Sequence, residues 1–181
     1  MKTYGQIIPG LEIHGEPANY GVVNERAIRA TAGIMFLIGF ATLNYTFYTK
    51  DFSVANFVVP IFWLDFLLKV INPKYSFFGV IGRTIVKKQK PEYVGAIQKR
   101  FAWSIGLALA SIMLIFAVGL GIRGTLPFTI CSICLFFMWL ETSFGICVGC
   151  KIYNYLISKN IIPHPEFKPA CPGGACSIKR P

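Results

Sequence analysis

Four long apolar stretches, separated by polar segments, dominate the hydropathy pattern of the chain. Each is close to or above the roughly 20 helical residues that are needed to cross the hydrocarbon core of a bilayer. The stretches cover residues 27–48, 52–71, 101–122 and 126–157. Turns of only a few residues join the first stretch to the second and the third to the fourth, which favours antiparallel helical hairpins. The pattern therefore predicts an all-α, integral membrane four-helix bundle.

The long loop between the second and third stretches, residues 72–100, contains a segment with its own pattern. Residues 77–88 alternate apolar and basic side chains at helical spacing, which is typical of a helix that lies flat in the headgroup region. We therefore expect a basic interfacial helix between membrane helices two and three. The alternative is an ordinary basic loop that contains no helix.

Lysine and arginine are distributed unevenly between the two sides that four spans create. The side with both termini and the long loop carries 16 of the 18 basic residues, and only Lys50 and Arg123 lie on the other side. Because positively charged loops are retained in the cytosol, this asymmetry predicts that both termini are cytosolic, an N-in/C-in topology. The same asymmetry accounts for the net charge of +10, so the charge does not indicate a nucleic acid as a partner. The lipid bilayer is the partner that the composition indicates.

Composition divides the chain into three regions. Residues 1–26 are polar and lack the pattern of a removable signal peptide, so we expect a cytosolic N-terminal segment. Residues 27–157 are the predicted transmembrane domain. Residues 158–181 contain several prolines and the pair Gly173-Gly174, which is typical of a flexible, irregular cytosolic tail.

The sharpest chemical motif is Cys147-Val148-Gly149-Cys150. If the fourth helix continues to residue 157, this C-x-x-C pair lies at its cytosolic end with both sulfurs on one helical face. Lys151 follows directly and would lower the pKa of a neighbouring thiol. Gly145 and Gly149 form a small-xxx-small pair that would bring another helix close. The alternative is that both cysteines are small apolar residues in a packed interface.

The tail carries a second pair of thiols, Cys171 and Cys176, on the same predicted side. Together with Cys147 and Cys150 they leave two chemistries open. The four thiols could ligate a metal, as a zinc or iron–sulfur site, or the tail pair could exchange as a mobile dithiol with the pair of the fourth helix. A third possibility is a non-catalytic accessory subunit of a larger membrane complex or a homo-oligomer.

A further C-x-x-C motif, Cys131-Ser132-Ile133-Cys134, lies near the outer end of the fourth predicted helix. Cys134 and Cys147 would be about 20 Å apart along a continuous helix, so the two motifs would not share one site. A relay between them would need an intermediate carrier. For Cys131 and Cys134 we favour a packing role.

Ionisable residues at membrane depth are functional candidates, and Asp65, Lys69 and Glu141 fall in this class. Asp65 and Lys69 have i, i+4 spacing and are expected to form a structural ion pair. Glu141 has no partner nearby in the sequence. It would either pair with a basic residue such as Lys69 or bind a proton.

Five separated strings occur in order along the chain. The strings are Val23-Asn24-Glu25-Arg26, Leu64-Asp65-Phe66 with Lys69, Pro73-Lys74-Tyr75-Ser76, Lys99-Arg100-Phe101-Ala102 leading to Ile105-Gly106, and Leu140-Glu141 followed by the run from Phe144 to Lys151. Together they resemble one family of small bacterial membrane proteins, the domain of unknown function 4395. The resemblance covers about residues 16–155.

The resemblance implies a four-helix domain in the bacterial cytoplasmic (inner) membrane. It implies that Asp65, Glu141 and the pair Cys147 and Cys150 are signature positions, and it carries no established activity. It also implies thioredoxin-like or sulfurtransferase proteins as partners, which favours sulfur or redox handling. The chain departs from the family where Glu16-Pro17 replaces a frequent Cys-Pro.

Overall fold

The computed structural model describes residues 4–13 and 16–162 of the 181-residue chain. Within this part it contains six helices, and four of them are long and apolar enough to cross a membrane, namely Glu25–Thr49, Ser53–Ile71, Ala96–Gly119 and Thr125–Phe144. The predicted all-α membrane bundle is thereby confirmed. The helices are α1 Glu25–Thr49, α2 Ser53–Ile71, α3 Phe77–Ile85, α4 Ala96–Met113 with the π-helical turn Leu114–Gly119, α5 Thr125–Phe144 and α6 Val148–Ser158.

The short helix α3 follows α2 in the basic loop. Ser76 begins it, because its hydroxyl accepts a hydrogen bond from the Gly79 amide at 2.8 Å, as an N-cap serine does. One face packs against α1: the Thr31 hydroxyl donates to the Phe78 carbonyl at 3.2 Å, and Gly82 lies so close that a Cβ there would be 2.6 Å from the Ala27 carbonyl oxygen. The predicted helix is confirmed, although it ends three residues before the predicted limit. We call the end of the bundle that carries α3 and the exposed Lys74, Lys87, Lys88 and Lys90 the basic end.

The described residues contain four short strands that the hydropathy pattern did not indicate, and two of them join the starts of α1 and α4. The strands β1 Glu12–Ile13 and β2 Glu16–Pro17 pair with each other, and β3 Val22–Asn24 pairs antiparallel with β4 Tyr93–Gly95. β3 leads directly into α1, and β4 leads directly into α4. This ladder, extended by a 2.7 Å hydrogen bond from the Glu25 amide to the Glu92 carbonyl, places the first turns of the two helices side by side.

The first and third membrane helices begin earlier than predicted. α1 begins at Glu25 rather than at residue 27, and the Asn24 side chain caps it by accepting from the Arg26 amide at 3.1 Å. α4 begins at Ala96 rather than at residue 101. The additional turns contain charged residues, Glu25 and Lys99, which the hydropathy pattern assigned to polar flanks. They are tolerated inside the bundle because they pair with each other, as described below.

The four long helices form two packed pairs around an open interior. α1 packs mainly on α5 and α2 mainly on α4, whereas the helices joined by short turns touch each other less. Residues of all four helices line a cavity of about 1210 Å³, which reaches from Lys99 and Cys147 at the basic end to Lys50 and Arg123 at the other end. Short turns join α1 to α2 and α4 to α5, as predicted. The two helices of each hairpin, however, are not each other's main packing partners.

The fourth apolar stretch is not a single helix, so this part of the prediction is wrong. α5 ends at Phe144, and Gly145 adopts a left-handed φ of 64°. The amides of Gly145 and Ile146 donate to the carbonyls of Glu141 and Leu140 at 3.0 and 3.1 Å, which is the Schellman arrangement that ends many helices. The apolar pattern continues through this break, so periodicity alone extends the helix too far.

Candidate functional site

Three charged side chains from three different helices meet at the basic end. The Lys99 ammonium on α4 lies 2.8 Å from Oε2 of Glu25 on α1 and 2.5 Å from Oε1 of Glu141 on α5. The side chains of Glu25 and Lys99 are 0% and 2% exposed, whereas that of Glu141 is 15% exposed. Glu141 is therefore the carboxylate of this group that is most accessible from the cavity, which it lines together with Lys99.

A fourth charge makes the group electrically neutral. Nε of Arg29 lies 3.4 Å from Oε1 of Glu25, one helical turn away on α1. Two carboxylates thus face two cations. Isolated charges are costly to bury, and mutual pairing at close distance offsets part of that cost. We call Glu25, Arg29, Lys99 and Glu141 the charged cluster.

The local fold explains why the charged cluster forms. The β3–β4 ladder brings the first turn of α1 beside that of α4, which sets Glu25 opposite Lys99. α1 also packs along α5, and the Thr142 hydroxyl donates to the Arg29 carbonyl at 3.4 Å. Glu141 is therefore held near the same point. Glu141 was expected to pair with Lys69 or to bind a proton; its partner in the structure is Lys99.

Cys147 and Cys150 lie beside the charged cluster. Cys147 is the N-cap residue of α6 and has an extended backbone, and Cys150 lies three residues further on, in the first turn. They are 6% and 2% exposed, and both are free thiols. The cysteines therefore do not lie on one face of a continuous membrane helix, as predicted, but at the start of a separate one.

The electrostatics of Cys147 come from its partner thiol and from the charged cluster. A hydrogen bond between the two thiols and burial both raise the pKa of Cys147, while the Lys99 ammonium acts in the opposite direction. The cation that acts on Cys147 is Lys99, whereas Lys151, which was expected to lower a thiol pKa, is exposed. In the resting state Cys147 is therefore protonated, and Lys99 is positioned to stabilise a thiolate there.

The two glycines of this region have different roles. A Cβ at Gly149 would lie 2.5 Å from the Ala102 Cβ, so Gly149 brings α6 close to α4, in line with the predicted small-residue contact. Gly145 instead combines its positive φ with close contact to Arg29, whose Nη2 would be 2.0 Å from a Cβ. Both contacts hold the cysteine pair against the charged cluster.

The predicted ion pair between Asp65 and Lys69 is confirmed, and its contacts join helices to one another. Nζ of Lys69 lies 2.7 Å from Oδ2 of Asp65. Oδ1 of Asp65 accepts hydrogen bonds from the Ser76 hydroxyl at 2.8 Å and from the Phe78 amide at 3.2 Å. Asp65 thereby fixes the start of α3 against α2. The Lys69 ammonium also lies 3.2 Å from the Met35 sulfur, which ties this pair to α1.

The outer motif occupies the middle of a regular helix. Cys131 and Cys134 lie on α5, are partly buried free thiols and line the same cavity as Cys147. The charged cluster and the N-terminus of α6, which surround the inner pair, lie at the basic end of the bundle. This position fits the packing role that the sequence favoured.

The metal hypothesis depends on residues outside the described part of the chain. Cys171 and Cys176 lie there, so their position relative to Cys147 and Cys150 stays a prediction. Among residues 4–13 and 16–162, the structure contains no group of three or more His, Cys, Asp or Glu side chains arranged to hold a metal ion. A zinc or iron–sulfur site would therefore need the tail thiols.

The sequence patterns did not single out three members of the charged cluster, namely Lys99, Glu25 and Arg29. Lys99 and Glu25 appeared only as members of strings shared with a family, and all three lay at the margins of predicted spans. A local signal was present for part of the group, since Glu25 and Arg29 have i, i+4 spacing. Their convergence on Glu141 had no signal in the local sequence.

Comparison with known proteins gives a family and no activity. No curated protein and no solved structure matches the chain. A family model described as Domain of unknown function (DUF4395) matches residues 23–158. That range covers α1 to α6 and includes the charged cluster and both C-x-x-C motifs. The chain belongs to this family of membrane-compatible helical domains.

Proposed function

We propose that this protein is a thiol–disulfide or sulfur-handling protein of the bacterial cytoplasmic membrane that works through Cys147 and Cys150 at the cytosolic face. The observation that carries the proposal is the pair of buried, free thiols at the start of α6, close to each other and beside Lys99. A C-x-x-C pair at a helix N-terminus is a recurrent setting for reactive thiols. Thioredoxin-like or sulfurtransferase proteins are the exchange partners that this chemistry would serve.

The geometry favours Cys147 as the nucleophile. It lines the cavity, whereas Cys150 is more deeply buried one turn into α6. Only the thiolate attacks a disulfide, so Cys147 must first lose its proton. Glu141 is the accessible carboxylate of the charged cluster and acts electrostatically on Cys147. We assign it as the proton acceptor, with Lys99 stabilising the thiolate that results.

The exchange proceeds in two balanced steps. The Cys147 thiolate attacks one sulfur of a partner disulfide, which forms a mixed disulfide and releases one partner thiolate. The Cys150 thiolate then attacks the Cys147 sulfur, which closes the Cys147–Cys150 disulfide and releases the second partner thiolate. In sulfur transfer, the Cys147 thiolate would instead take the outer sulfur of a partner persulfide and release the partner as a thiolate.

Thiol alkylation in isolated membranes tests the proposal. In a variant that keeps only the inner pair, with Cys131, Cys134, Cys171 and Cys176 all replaced by Ser, we expect two alkylated thiols after reductant and none after a mild disulfide oxidant. The matched control keeps only the outer pair, with Cys147, Cys150, Cys171 and Cys176 replaced by Ser. We expect both of its thiols to be alkylated under both treatments.

Mass spectrometry of the alkylated protein identifies the residues that change state. If the inner pair stays fully reduced after oxidant, or if the outer pair responds equally, the proposed redox role of Cys147 and Cys150 is wrong.

A further inference from the structure

The cavity between the packed helix pairs is large and mostly apolar, which suits an extended ligand. Its volume of about 1210 Å³ exceeds the roughly 300–1,000 Å³ of ordinary small-molecule pockets. Apolar side chains from all four long helices form most of its wall, among them Met35, Phe62, Leu109, Met113 and Leu135. A cavity of this kind fits a molecule with a small polar head and a long apolar chain.

The polar head would lie at the end of the cavity formed by Lys99, Glu141 and Cys147. The charged cluster is neutral as a group, and Lys69 on the same wall is paired with Asp65. An anionic headgroup beside Lys99 and Glu141 would therefore find no uncompensated positive charge. Lys74, Arg83 and Lys87 also line the cavity, and a phospholipid bound through them is an outcome of the binding test. Lys99 has three N–H bonds. In the described structure two of them serve Glu25 and Glu141, which leaves the third for an uncharged carbonyl oxygen.

The thiols themselves point to the chemical class of the occupant. Cys147 is almost fully buried from solvent and yet lines the cavity. An acceptor that reaches it from the membrane must be lipid-soluble, must take two electrons and must carry oxygens that can be protonated. Quinones with an apolar side chain combine these properties.

We propose that the cavity binds a lipid-soluble quinone with its ring beside Cys147, Lys99 and Glu141, and that this quinone oxidises the Cys147–Cys150 dithiol. The inference rests on the proposed dithiol function and names the electron acceptor. The reaction forms the S–S bond and breaks both S–H bonds. The two electrons and two protons pass to the quinone, whose two carbonyl oxygens become the hydroxyl groups of the hydroquinone. A partner dithiol at the cytosolic face then restores the reduced pair by the reverse of the exchange described above, and the partner leaves as a disulfide.

Quenching of Trp103 fluorescence measures the binding step. Trp103 lines the cavity, so it serves as the single reporter in a Trp63→Phe, Trp139→Phe background. The full chain is placed in phospholipid nanodiscs and titrated with decylubiquinone. We expect saturable quenching, and in the reduced protein we expect one quinone to be reduced for each inner cysteine pair oxidised.

Two variants with a matched control separate binding from chemistry. Ala110→Phe fills the cavity wall on α4 and should abolish saturable quenching and quinone reduction while leaving exchange with glutathione disulfide intact. Ala108→Phe places the same side chain on an exposed part of α4 and should behave like the parent protein. Cys147→Ser with Cys150→Ser should keep the quenching and lose quinone reduction.

The outcomes distinguish failure of this inference from failure of the proposed function. Quenching that is linear in quinone, and equal in the Ala110→Phe and Ala108→Phe proteins, would show simple partition into lipid and overturn the quinone site. A tightly held phospholipid that decylubiquinone does not displace would also overturn the quinone site. Saturable binding without quinone reduction, in a protein that still exchanges with glutathione disulfide, would overturn it as well. A dithiol inert towards both quinone and glutathione disulfide would instead overturn the proposed function.

Discussion

The two C-x-x-C motifs of this chain have the same spacing and line the same cavity, yet the structure gives them different surroundings. Cys131 and Cys134 lie within the regular helix α5 and are partly buried. Cys147 and Cys150 lie at the start of a new helix, are almost fully buried, share a hydrogen bond and face Lys99. The comparison shows that C-x-x-C spacing by itself only places two sulfurs near each other. The backbone break and the charged cluster are what distinguish the surroundings of the inner pair from those of the outer pair.

The largest expected effect comes from removing the cation that the two buried carboxylates share. Lys99→Met leaves Glu25 and Glu141 facing each other without their common partner, which should reduce the free energy of unfolding by about 3–5 kcal/mol. Thermal unfolding in detergent measures the loss. Ile133→Met, at an exposed position beside the outer pair, should change stability by less than about 0.5 kcal/mol.

Two further substitutions test whether unpaired carboxylates cause the loss of stability. Adding Glu25→Gln and Glu141→Gln to Lys99→Met should recover part of the stability, because neutral amides are less costly to bury than carboxylates. If the triple variant is no more stable than Lys99→Met alone, the charged cluster does not stabilise the basic end in the way we describe.

The next effect concerns the backbone break that separates the two motifs. Gly145→Ala forces a Cβ into a left-handed conformation and against the Arg29 guanidinium. Gly121 has the same φ of 64° with nothing within 4 Å of its Cβ position, so Gly121→Ala measures the backbone cost alone, about 1–2 kcal/mol.

We expect Gly145→Ala to destabilise the protein by about 1–3 kcal/mol more than Gly121→Ala, since overpacking adds to the backbone cost. Thermal unfolding of the two variants in the same detergent gives the difference. Equal destabilisation would show that the contact with Arg29 does not hold the break in place.

The smallest expected effect is a shift in the pH profile of Cys147. The hydrogen bond with Cys150 is the largest cause that raises its pKa, so Cys150→Ala should lower that pKa. A lower pKa gives more thiolate at a given pH, and alkylation of Cys147 near pH 8.5 should become faster, on the order of tenfold.

The midpoint of the alkylation rate against pH separates this effect from easier access of the reagent. A change in access would scale the rates without moving the midpoint. Cys134→Ala serves as the control and should leave the profile of Cys147 unchanged. A midpoint that stays in place in Cys150→Ala contradicts the hydrogen bond as the cause of the raised pKa.

Much of the fold was predictable because it depends on local physics. The length of the apolar stretches predicted the four long helices, the amphipathic spacing predicted α3, and i, i+4 spacing predicted the Asp65–Lys69 pair. The helix break after Phe144 was missed although a signal was present. A glycine directly after a periodic stretch is a common helix terminator, and Gly145 was interpreted only as a small packing residue.

The candidate site was predictable only in part. The sequence by itself singled out Cys147, Cys150 and Glu141, because a C-x-x-C pair and a charge within an apolar stretch stand out in one dimension. Tertiary structure alone decided that Lys99 joins Glu25 to Glu141, that these charges flank the thiols and that a cavity lies beside them. The physical reason is that these groups lie on α1, α4, α5 and α6. Long-range packing and the β3–β4 ladder bring them together, and neither has a counterpart in the local periodicity of the chain.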